Sequence, residues 1–480
     1  MTARQNEPCL VMKFGGTSVA DAERIAHVAQ LVGAWWRRAP GDTGQHASLA
    51  VVVSAMAGVT NALIESGRLA AQGNTAAYQE KLAALQEKHC TVADALLAAE
   101  ERQGQRQFIE SVIAELSSLC ASVALIGELP MRALDRIAGM GEKLSASQLA
   151  ATLRAQGCPA QYVDATQVLV TDSTAGGATP LMEETRARAQ AVICPILAAG
   201  AIPVITGYIG ADARGVPTTL GRQAGDYSAA IFGAVLDAEE VWIWTDVDGI
   251  LTADPKVVPQ ARTLSELTYV EVAQLSYFGA EVLHPKTVRP LVDRGIPLRI
   301  RNTFNPDHPG TLVVERSTHQ HSGPRAIITS KGLSAIAVVG NSDGWSPTIS
   351  ARALNALARA GAEVLMFGQS FVDKTVSLLV RGQDSDHAEG ALRREFAEDL
   401  QRGALRAITV QRPVASVSVV GAADDDSFTL AARTFAALGK QPTHVLTIAQ
   451  AYSEYNVTFV VPQAEMDEVV RLIHAELGLG

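Results

Sequence analysis

Residues Val11 to Asp21 read VMKFGGTSVAD, and the fold prediction starts from this stretch. An apolar run carries Lys13 near its end and passes directly into Gly15, Gly16 and two hydroxyl residues. Glycines after a strand let the backbone approach a ligand closely, and the N–H groups that open the next helix attract an anion. The stretch therefore predicts a strand–turn–helix unit that binds phosphate, although a tight turn with a surface lysine would give the same sequence.

The segments around this unit predict an α/β fold. Continuous apolar runs such as LAVVVSA (49–55) and EVWIWT (240–245) alternate with amphipathic segments. That alternation is typical of a parallel sheet covered by helices on both faces. Residues 75–127 are rich in Ala, Leu, Gln and Glu and lack proline, so we expect a helical insert there. IPLRIRNTF (296–304) reads as the closing strand of the sheet.

The last third of the chain contains an internal repeat. Residues 333–380 and 414–461 each read as a strand, a glycine, a polar loop, a helix, a strand and a glutamine-centred turn into a last strand. Such a repeat predicts a pair of small ferredoxin-like α+β modules. The expected organisation is a catalytic domain at 8–305, a linker at 306–332, a first module at 333–410 and a second at 411–480.

Composition and charge exclude several classes of protein. The net charge of −10 argues against a general binder of nucleic acid or anionic membranes. The apolar runs are too short to span a bilayer, and the N-terminus lacks a signal-peptide pattern. The five cysteines are scattered and form no CxxC pair, which favours a reducing compartment without structural zinc. We expect a cytoplasmic protein that binds neither nucleic acid nor membranes.

A second candidate site is TTLGRQAGDYSAAIF (218–232). Arg222 and Asp226 lie four residues apart across a turn that leads into a helix. Arg222 could bind a carboxylate through two hydrogen bonds. Asp226 could orient a catalytic lysine or bind a metal-bridged phosphate. A helix-capping aspartate beside a solvated arginine would also fit this pattern.

A third candidate site is WTDVDGILTADPKVVP (244–259), which follows a predicted strand. It places Asp246, Asp248, Asp254 and Lys256 at the end of that strand, where ligands bind in open α/β sheets. A solvated cluster of turn residues is the alternative.

Together these motifs resemble those of the aspartate kinases in the amino-acid kinase family. The matching stretches are KFGGTSV, VVVSAMAGVTN, GEKLSA, TTLGR followed by DYSA, TDVDGILTADPKVV and FGAEVLHPKT. The C-terminal repeats resemble tandem ACT domains, so the resemblance covers essentially the whole chain. It implies an amino-acid kinase fold, with a mostly parallel sheet sandwiched by helices, followed by two ferredoxin-like ACT modules. Because the sequence ends at Gly480, we expect no fused homoserine dehydrogenase.

The resemblance implies transfer of the γ-phosphoryl group of ATP, bound with Mg²⁺, to the side-chain carboxylate of L-aspartate. This is the first step towards the aspartate-derived amino acids. A carboxylate is already a nucleophile at neutral pH, so catalysis would depend on positioning and charge neutralisation.

The resemblance also implies individual roles, with Arg222 binding the α-carboxylate of aspartate and Glu142 facing its ammonium group. The implied catalytic residues are Lys13 and Asp226. The implied substrate-binding residues are Thr60, Glu142, Arg222, Gln223, Ala224 and Gly225. The implied nucleotide-binding residues are Lys13, Phe14, Gly15, Gly16, Thr245, Asp246, Leu251, Lys256, Glu281 and Val282.

Two positions depart from the family pattern. The family usually reads Arg-Gly-Gly-Ser-Asp where this chain has Arg222-Gln223-Ala224-Gly225-Asp226, so a serine hydroxyl is lost. Glu281 stands where most relatives carry lysine, and an acid there would repel phosphates by roughly a few kcal/mol in a dry site. These changes would produce a slow enzyme or a shifted substrate.

The ACT resemblance implies feedback regulation by an amino acid such as threonine or lysine. Gln369 and Gln450 are the candidate effector-binding residues, whereas modules that serve only dimerisation are the alternative. We expect a homodimer formed through these modules, and a tetramer is also compatible. Two other functions stay open: an amino-acid kinase with a different carboxylate substrate, and a catalytically weakened regulatory subunit.

Overall fold

The structure is a computed structural model that describes most of the chain as two compact units. The described residues are 9–38, 47–221, 224–277, 283, 285–317, 323–341, 346, 348–421, 427–449 and 456–480. The first unit comprises Met1–Ile250, Ser265–Tyr269 and Leu283–Ser317. The second unit comprises Leu251–Leu264, Val270–Val282 and Thr318–Gly480.

A mostly parallel sheet forms the centre of the first unit. In chain order, its strands and those of a smaller sheet are β1 (Cys9–Phe14), β2 (Ser48–Val53), β3 (Ala160–Val163), β4 (Val170–Thr171), β5 (Ile202–Thr206), β6 (Ile209–Asp212), β7 (Pro217–Thr219), β8 (Glu240–Thr245), β9 (Glu266–Thr268), β10 (Leu298–Asn302) and β11 (Thr311–Val314). The large sheet has the order β3-β5-β2-β1-β8-β10-β11-β9, and only β10 and β11 pair antiparallel. Strands β4, β6 and β7 form the smaller sheet. The predicted parallel α/β sheet is confirmed.

Helices cover both faces of this sheet. In chain order, the helices of this part of the chain are α1 (Ala22–Arg37), α2 (Val59–Ala71), α3 (Thr75–Leu96), α4 (Ala99–Ile126), α5 (Met131–Ala138), α6 (Met140–Ala155), α7 (Met182–Ala198), α8 (Ala224–Val235), α9 (Tyr269–Tyr277), which belongs to the second unit except for Tyr269, and α10 (Pro285–Val292). Helices α1 and α6 pack together on one face, and α7 and α8 lie on the other, with α10 against α8. The Asp21 side chain begins α1 by accepting the Arg24 N–H at 2.9 Å.

Helices α3 and α4 fill the segment predicted to be a helical insert. Among the described residues, α4 is the one helix long and apolar enough to cross a bilayer, which the apolar runs of the sequence did not indicate. Its residues Ile109, Leu116 and Cys120 are fully buried in the core of the first unit. A helix that packs into a core passes the same test, so this finding alone does not indicate a membrane segment.

Two predictions at the end of the first unit are wrong. The sheet does not close at β10, because β11 pairs with β10 and β9 pairs with β11. The segment expected to be a linker, 306–332, contains β11 and the start of a strand of the second unit. The turn formers before β11 reverse the chain, with Gly310 in the left-handed region at φ 73°, and Val313 is then fully buried.

The second unit contains two copies of one arrangement. Its strands are β12 (Pro324–Gly340), β13 (Val364–Ser370), β14 (Thr375–Arg381), β15 (Leu405–Gly421), β16 (Thr447–Ala449) and β17 (Asn456–Pro462). Its remaining helices are α11 (Thr348–Arg359), α12 (Ser385–Glu395), α13 (Ala397–Gln401), α14 (Ser427–Leu438) and α15 (Met466–Leu477). The order β12-α11-β13-β14-α12 repeats as β15-α14-β16-β17-α15, as the internal repeat predicted.

The two copies share their longest strands. The sheet order is β13-β14-β12-β15-β17-β16, with β12 and β15, each 17 residues long, paired antiparallel. The first half of β12, Pro324–Ser330, pairs with the second half of β15, and the second half of β12 pairs with β14 and the first half of β15. The expected linker, which ends at 332, therefore contains Pro324–Ser330, the part of β12 that pairs with the second copy.

The TADPKVV stretch belongs to the core of the second unit. Ala253, Val257 and Val258 join the apolar cluster formed with α14 and α15. The Thr252 hydroxyl lies 3.1 Å from His474 Nε2, in α15. This polar contact and the apolar packing tie the stretch to α15.

Candidate active site

A cavity of about 490 Å³ lies in the first unit at the carboxyl ends of β1 and β2. Its walls come from the turn after β1, the loop between β2 and α2, the first turn of α6, and the start of α8. The lining residues are Gly16, Ser54, Ala55, Met56, Ala57, Gly58, Thr60, Asn61, Glu142, Gly176, Tyr208, Gly221, Ala224 and Gly225. Five predicted site residues therefore share this cavity: Gly16, Thr60, Glu142, Ala224 and Gly225.

An ion pair lies beside the cavity. Lys13 Nζ, near the end of β1, is 2.5 Å from Asp226 Oδ1 in the first turn of α8, and both side chains are largely buried. A Cβ on Gly225 would lie 3.1 Å from Lys13 Cε and 2.7 Å from Ser54 Oγ. The fold thus places Asp226 where it can orient Lys13, as predicted, and Gly225 leaves space for both neighbouring side chains.

The turn after β1 depends on glycine. A Cβ on Gly16 would lie 2.7 Å from the carbonyl oxygen of Ala55, a distance that real Cβ atoms do not show. The N–H of Ala57 donates to the Gly16 carbonyl at 3.1 Å, so this turn and the β2–α2 loop support each other. Phe14 is fully buried and stacks on Trp244 with ring centroids 5.8 Å apart, so only its backbone is available to a nucleotide.

Glu142 is the most unusual side chain of the cavity. Only 3% of the residue is exposed, and its Oε1 accepts the Ala55 N–H at 3.2 Å. Its Oε2 is buried and has no hydrogen-bond partner in the described part of the chain. Burial raises the pKa of this carboxyl to about 8. A buried carboxyl with one free oxygen on a cavity wall is suited to receive a cation.

Two helices begin at the cavity. Gly58, in the left-handed region at φ 80°, precedes α2 and lets Thr60 line the cavity from the first turn. Helix α8 begins at Ala224, next to Gly225. The free N–H groups at the start of a helix favour anions, so these two starts complement a negatively charged group.

Not all predicted residues belong to this arrangement. Thr245 ends β8, and its hydroxyl donates to Asp246 at 3.2 Å. Asp248 accepts the side-chain N–H groups of Asn302 and Asn305 at 2.8 and 3.0 Å, so its role is to hold the loop. Leu251 and Lys256 belong to the second unit. The predicted residues Arg222, Gln223, Glu281, Val282 and Gln450 lie outside the described residues.

The predicted regulatory residue Gln369 lies in the second unit, in strand β13 rather than in the following turn. Its Oε1 accepts the Ser350 hydroxyl at 2.9 Å from the start of α11. Its Nε2 is buried without a partner among the described residues. The amide could donate a hydrogen bond to a ligand or an incoming carbonyl group.

Several lining residues were not predicted from the sequence. Ser54 and Asn61 lie inside a quoted motif, and Gly176 in a run of turn formers, so weak signals existed. Tyr208 had no signal, although its backbone is strained at φ 67°. No group of three or more His, Cys, Asp or Glu side chains that could hold a metal ion occurs in the described ranges.

Comparison with known proteins assigns the family. The sequence model of the amino acid kinase family matches residues 8–302, and that of an ACT domain matches residues 417–477. Aspartokinase 1, chloroplastic, of Arabidopsis thaliana is 30% identical over 97% of this chain and 79% of its own length. The chain belongs to the aspartokinases.

Other similar proteins include longer bifunctional enzymes and aspartokinases of known structure. The bifunctional aspartokinase/homoserine dehydrogenase 2 of A. thaliana is 32% identical over 98% of the chain but only 50% of its own length. The chain thus spans about half the length of the first curated relatives it matches. Escherichia coli aspartokinase III in complex with lysine and aspartate (T-state) is 28% identical, with a TM-score of 0.79, and the match covers 98% of this chain and 99% of that one. The predicted family and fold are confirmed.

Proposed function

We propose that this aspartokinase transfers the γ-phosphoryl group of MgATP to the side-chain carboxylate of L-aspartate, giving 4-phospho-L-aspartate and ADP. The observation that carries the proposal is the buried, unpartnered Oε2 of Glu142, which lines the same cavity as Gly225, where an added Cβ would lie 3.1 Å from Lys13 Cε. One site thus offers a receptor for an ammonium group and a cation for phosphates. E. coli aspartokinase III has been solved with aspartate and ADP (R-state), which supports both ligands.

In the proposed reaction, each part of aspartate has its own partner. Glu142 pairs with the ammonium group, and Arg222, whose motif resembles that of the family, binds the α-carboxylate. Thr60 and the N–H groups that open α2 and α8 hydrogen-bond the reacting carboxylate and the transferring group. The β-carboxylate attacks the γ-phosphorus without a general base, because it is already ionised at neutral pH. The bond to the β–γ bridging oxygen breaks, and ADP leaves.

Lys13 neutralises the charge that spreads over the phosphoryl oxygens during transfer, and Asp226 holds the lysine in place through the 2.5 Å pair. Gly15 and Gly16 let the phosphates approach the backbone, and Thr245 and Asp246 bind the nucleotide. The Mg²⁺ that accompanies ATP as part of the substrate would supply further positive charge to the phosphates.

The decisive experiment is ADP release with MgATP, in the presence and absence of L-aspartate, with hydroxylamine trapping of the acyl phosphate. We expect aspartate-dependent ADP and hydroxamate, and loss of both in Lys13→Met. Glu281→Lys tests the departure at that position, and faster turnover would mean that Glu281 repels phosphate. ADP release that is independent of aspartate, or supported by another carboxylate, would contradict the proposal.

The repeated modules of the second unit are the candidates for regulation and assembly. We infer that an amino acid such as lysine or threonine inhibits the enzyme at the repeated modules, at Gln369 and Gln450. The lysine complex of E. coli aspartokinase III supports the effector class. Gln369→Ala should keep activity and lose inhibition, whereas unchanged inhibition would contradict the assignment.

We also propose a homodimer formed through these modules, which light scattering on the purified chain tests. A cytoplasmic location is supported by the five cysteines, all of which are free thiols.

A further inference from the structure

A strained turn at Gly207–Tyr208 forms one wall of the cavity, and the roles proposed above leave it unused. Tyr208 has φ 67°, a region that glycine occupies readily and a bulky aromatic residue rarely adopts. Its N–H donates to Ser228 Oγ at 2.9 Å, and its carbonyl accepts the Leu220 N–H at 3.0 Å. The surroundings therefore hold the residue in an unfavourable conformation, which is characteristic of binding sites.

The turn lies near two parts of the proposed acceptor site. A Cβ on Gly207 would lie only 3.5 Å from the Cα of Gly225, next to Asp226. Tyr208 lines the cavity together with Glu142, whose carboxyl is near enough to act on the phenol. Burial raises the pKa of the Tyr208 phenol, and the nearby Glu142 and Asp135 carboxyls raise it further. The phenol is therefore neutral at physiological pH, and its oxygen can accept a hydrogen bond from the ammonium group of the acceptor.

The buried side chains of Thr219 and Asp135 hold the Tyr208 phenol in place. The Thr219 hydroxyl donates its proton to Asp135 Oδ1 at 2.6 Å, so in its hydrogen bond with Thr219 the Tyr208 phenol is the donor. Asp135 additionally accepts the Gly176 N–H at 2.9 Å, and Gly176 is itself a lining residue. Because Asp135 is only 4% exposed, these contacts hold the phenol and the Gly176 loop in one arrangement.

We propose that Tyr208 is a specificity-determining residue, whose phenol limits the length of the acceptor amino acid that fits between Glu142 and the Lys13–Asp226 pair. This inference rests on the proposed kinase function. A pocket that only excludes an extra methylene discriminates by about 10- to 200-fold, and a paired hydroxyl adds to that ratio. A fixed phenol beside the ammonium receptor supplies both effects.

The test compares the parent with Tyr208→Phe, Tyr208→Ala and the control Tyr162→Phe. Tyr162 lies in β3 and packs edge-on against Phe108, with ring centroids 5.5 Å apart, away from the lining residues. Each protein is assayed with L-aspartate, D-aspartate, L-glutamate and N-acetyl-L-glutamate. We expect Tyr208→Phe to lower kcat/KM for L-aspartate by about ten-fold, mainly through KM, with kcat within about two-fold. The control should match the parent.

The ratio of kcat/KM for L-aspartate over L-glutamate is the readout that a purely structural role would not move. It should fall about ten-fold in Tyr208→Phe and further in Tyr208→Ala, while the melting temperature of Tyr208→Phe stays that of the parent. An unchanged ratio in Tyr208→Phe overturns the proposal. A parent that prefers another acceptor refutes the aspartate function, yet the same ratio, taken for that acceptor, still decides the role of Tyr208. A parent that phosphorylates none of the four refutes both.

Discussion

Two buried carboxyl groups, seven residues apart in sequence, differ in how they are satisfied. Asp135 and Glu142 are 4% and 3% exposed. Asp135 accepts hydrogen bonds from Gly176 N–H and Thr219 Oγ1 at 2.9 and 2.6 Å, whereas Glu142 accepts one, from Ala55 N–H, and keeps a free oxygen. A buried acceptor without a partner costs free energy, so the fold must gain something else from it. The Asp135 carboxyl therefore stabilises the structure, whereas the Glu142 carboxyl keeps an oxygen free for a ligand.

The largest expected effect is that of Glu142→Gln on catalysis. Losing the negative charge leaves the substrate ammonium buried without its partner, so kcat/KM for aspartate should fall about 100- to 1,000-fold. The free energy of unfolding of the ligand-free protein should not fall, because the substitution removes an unpaired buried carboxyl. Steady-state kinetics and urea denaturation measure the two quantities.

The control for this variant is Glu115→Gln, since Glu115 is paired with Arg136 on the exposed side of α4. It should leave both quantities unchanged. If the Glu142→Gln protein keeps full activity but loses stability, then Glu142, like Asp135, has a structural role and does not bind the substrate.

The second effect is on pH dependence. The pKa of Glu142 is raised to about 8 from its ordinary value of 4.5, so the native state holds a proton that the unfolded chain has released. Its contribution to stability is therefore complete below pH 4.5 and is lost as the pH rises through 8. Aspartate binds the ionised form, so its affinity should rise by up to about ten-fold per pH unit below that pKa and level off above it.

Calorimetry in buffers of different ionisation enthalpy measures the proton released when aspartate binds at pH 7. Glu142→Gln should release none. An affinity that does not change with pH in the parent would mean that Glu142 is already ionised in the free cavity.

Much of this arrangement follows from the sequence, because its signals are local. The Lys13–Gly16 turn and the Asp226 helix start were predicted as separate motifs, and the parallel sheet brought them together. The parallel sheet could be predicted because continuous apolar strands such as β2 must be covered on both faces.

Other features could not be predicted, because they depend on contacts between distant residues. Asp135 bonds to Thr219 across 84 residues, and nothing in the sequence around either residue marks the pair. Tyr208 looks like any strand residue in AIPVITGYIG, and the strained turn is held by hydrogen bonds to the distant residues Ser228 and Leu220. The linker prediction failed for a related reason: the turn formers of NPDHPG signal a break in the chain but not whether the strand that follows rejoins the sheet.

The third prediction concerns Asp135→Asn. With the amide oxygen at the Oδ1 position, Thr219 keeps its partner, but the Gly176 N–H loses its 2.9 Å bond to Oδ2, keeps only the 3.2 Å bond to Oδ1 and faces the amide NH₂ in a buried site. The free energy of unfolding should fall by about 1–3 kcal/mol, with a smaller effect on kcat than that of Glu142→Gln. Urea denaturation with an unchanged m-value would show that the loss lies in the folded state. A loss of activity as deep as that of Glu142→Gln would instead place Asp135 among the ligand-binding groups.

The smallest effect expected is that of Thr219→Val, which removes one of the hydrogen bonds to Asp135 and keeps the volume of the side chain. In the parent, Thr219→Val should lower the free energy of unfolding by about 1 kcal/mol. In the Asp135→Asn background the same substitution should lower it by less, because the carboxylate that Thr219 bonds is already gone. The neighbouring Thr218 provides the matched control, since its hydroxyl bonds Thr171 at 2.7 Å and not Asp135. Thr218→Val should therefore add to Asp135→Asn without coupling. If Thr218→Val and Thr219→Val couple equally to Asp135→Asn, then Asp135 stabilises the whole region around Thr218 and Thr219. Asp135 and Glu142 would then differ only in that Glu142 binds the substrate.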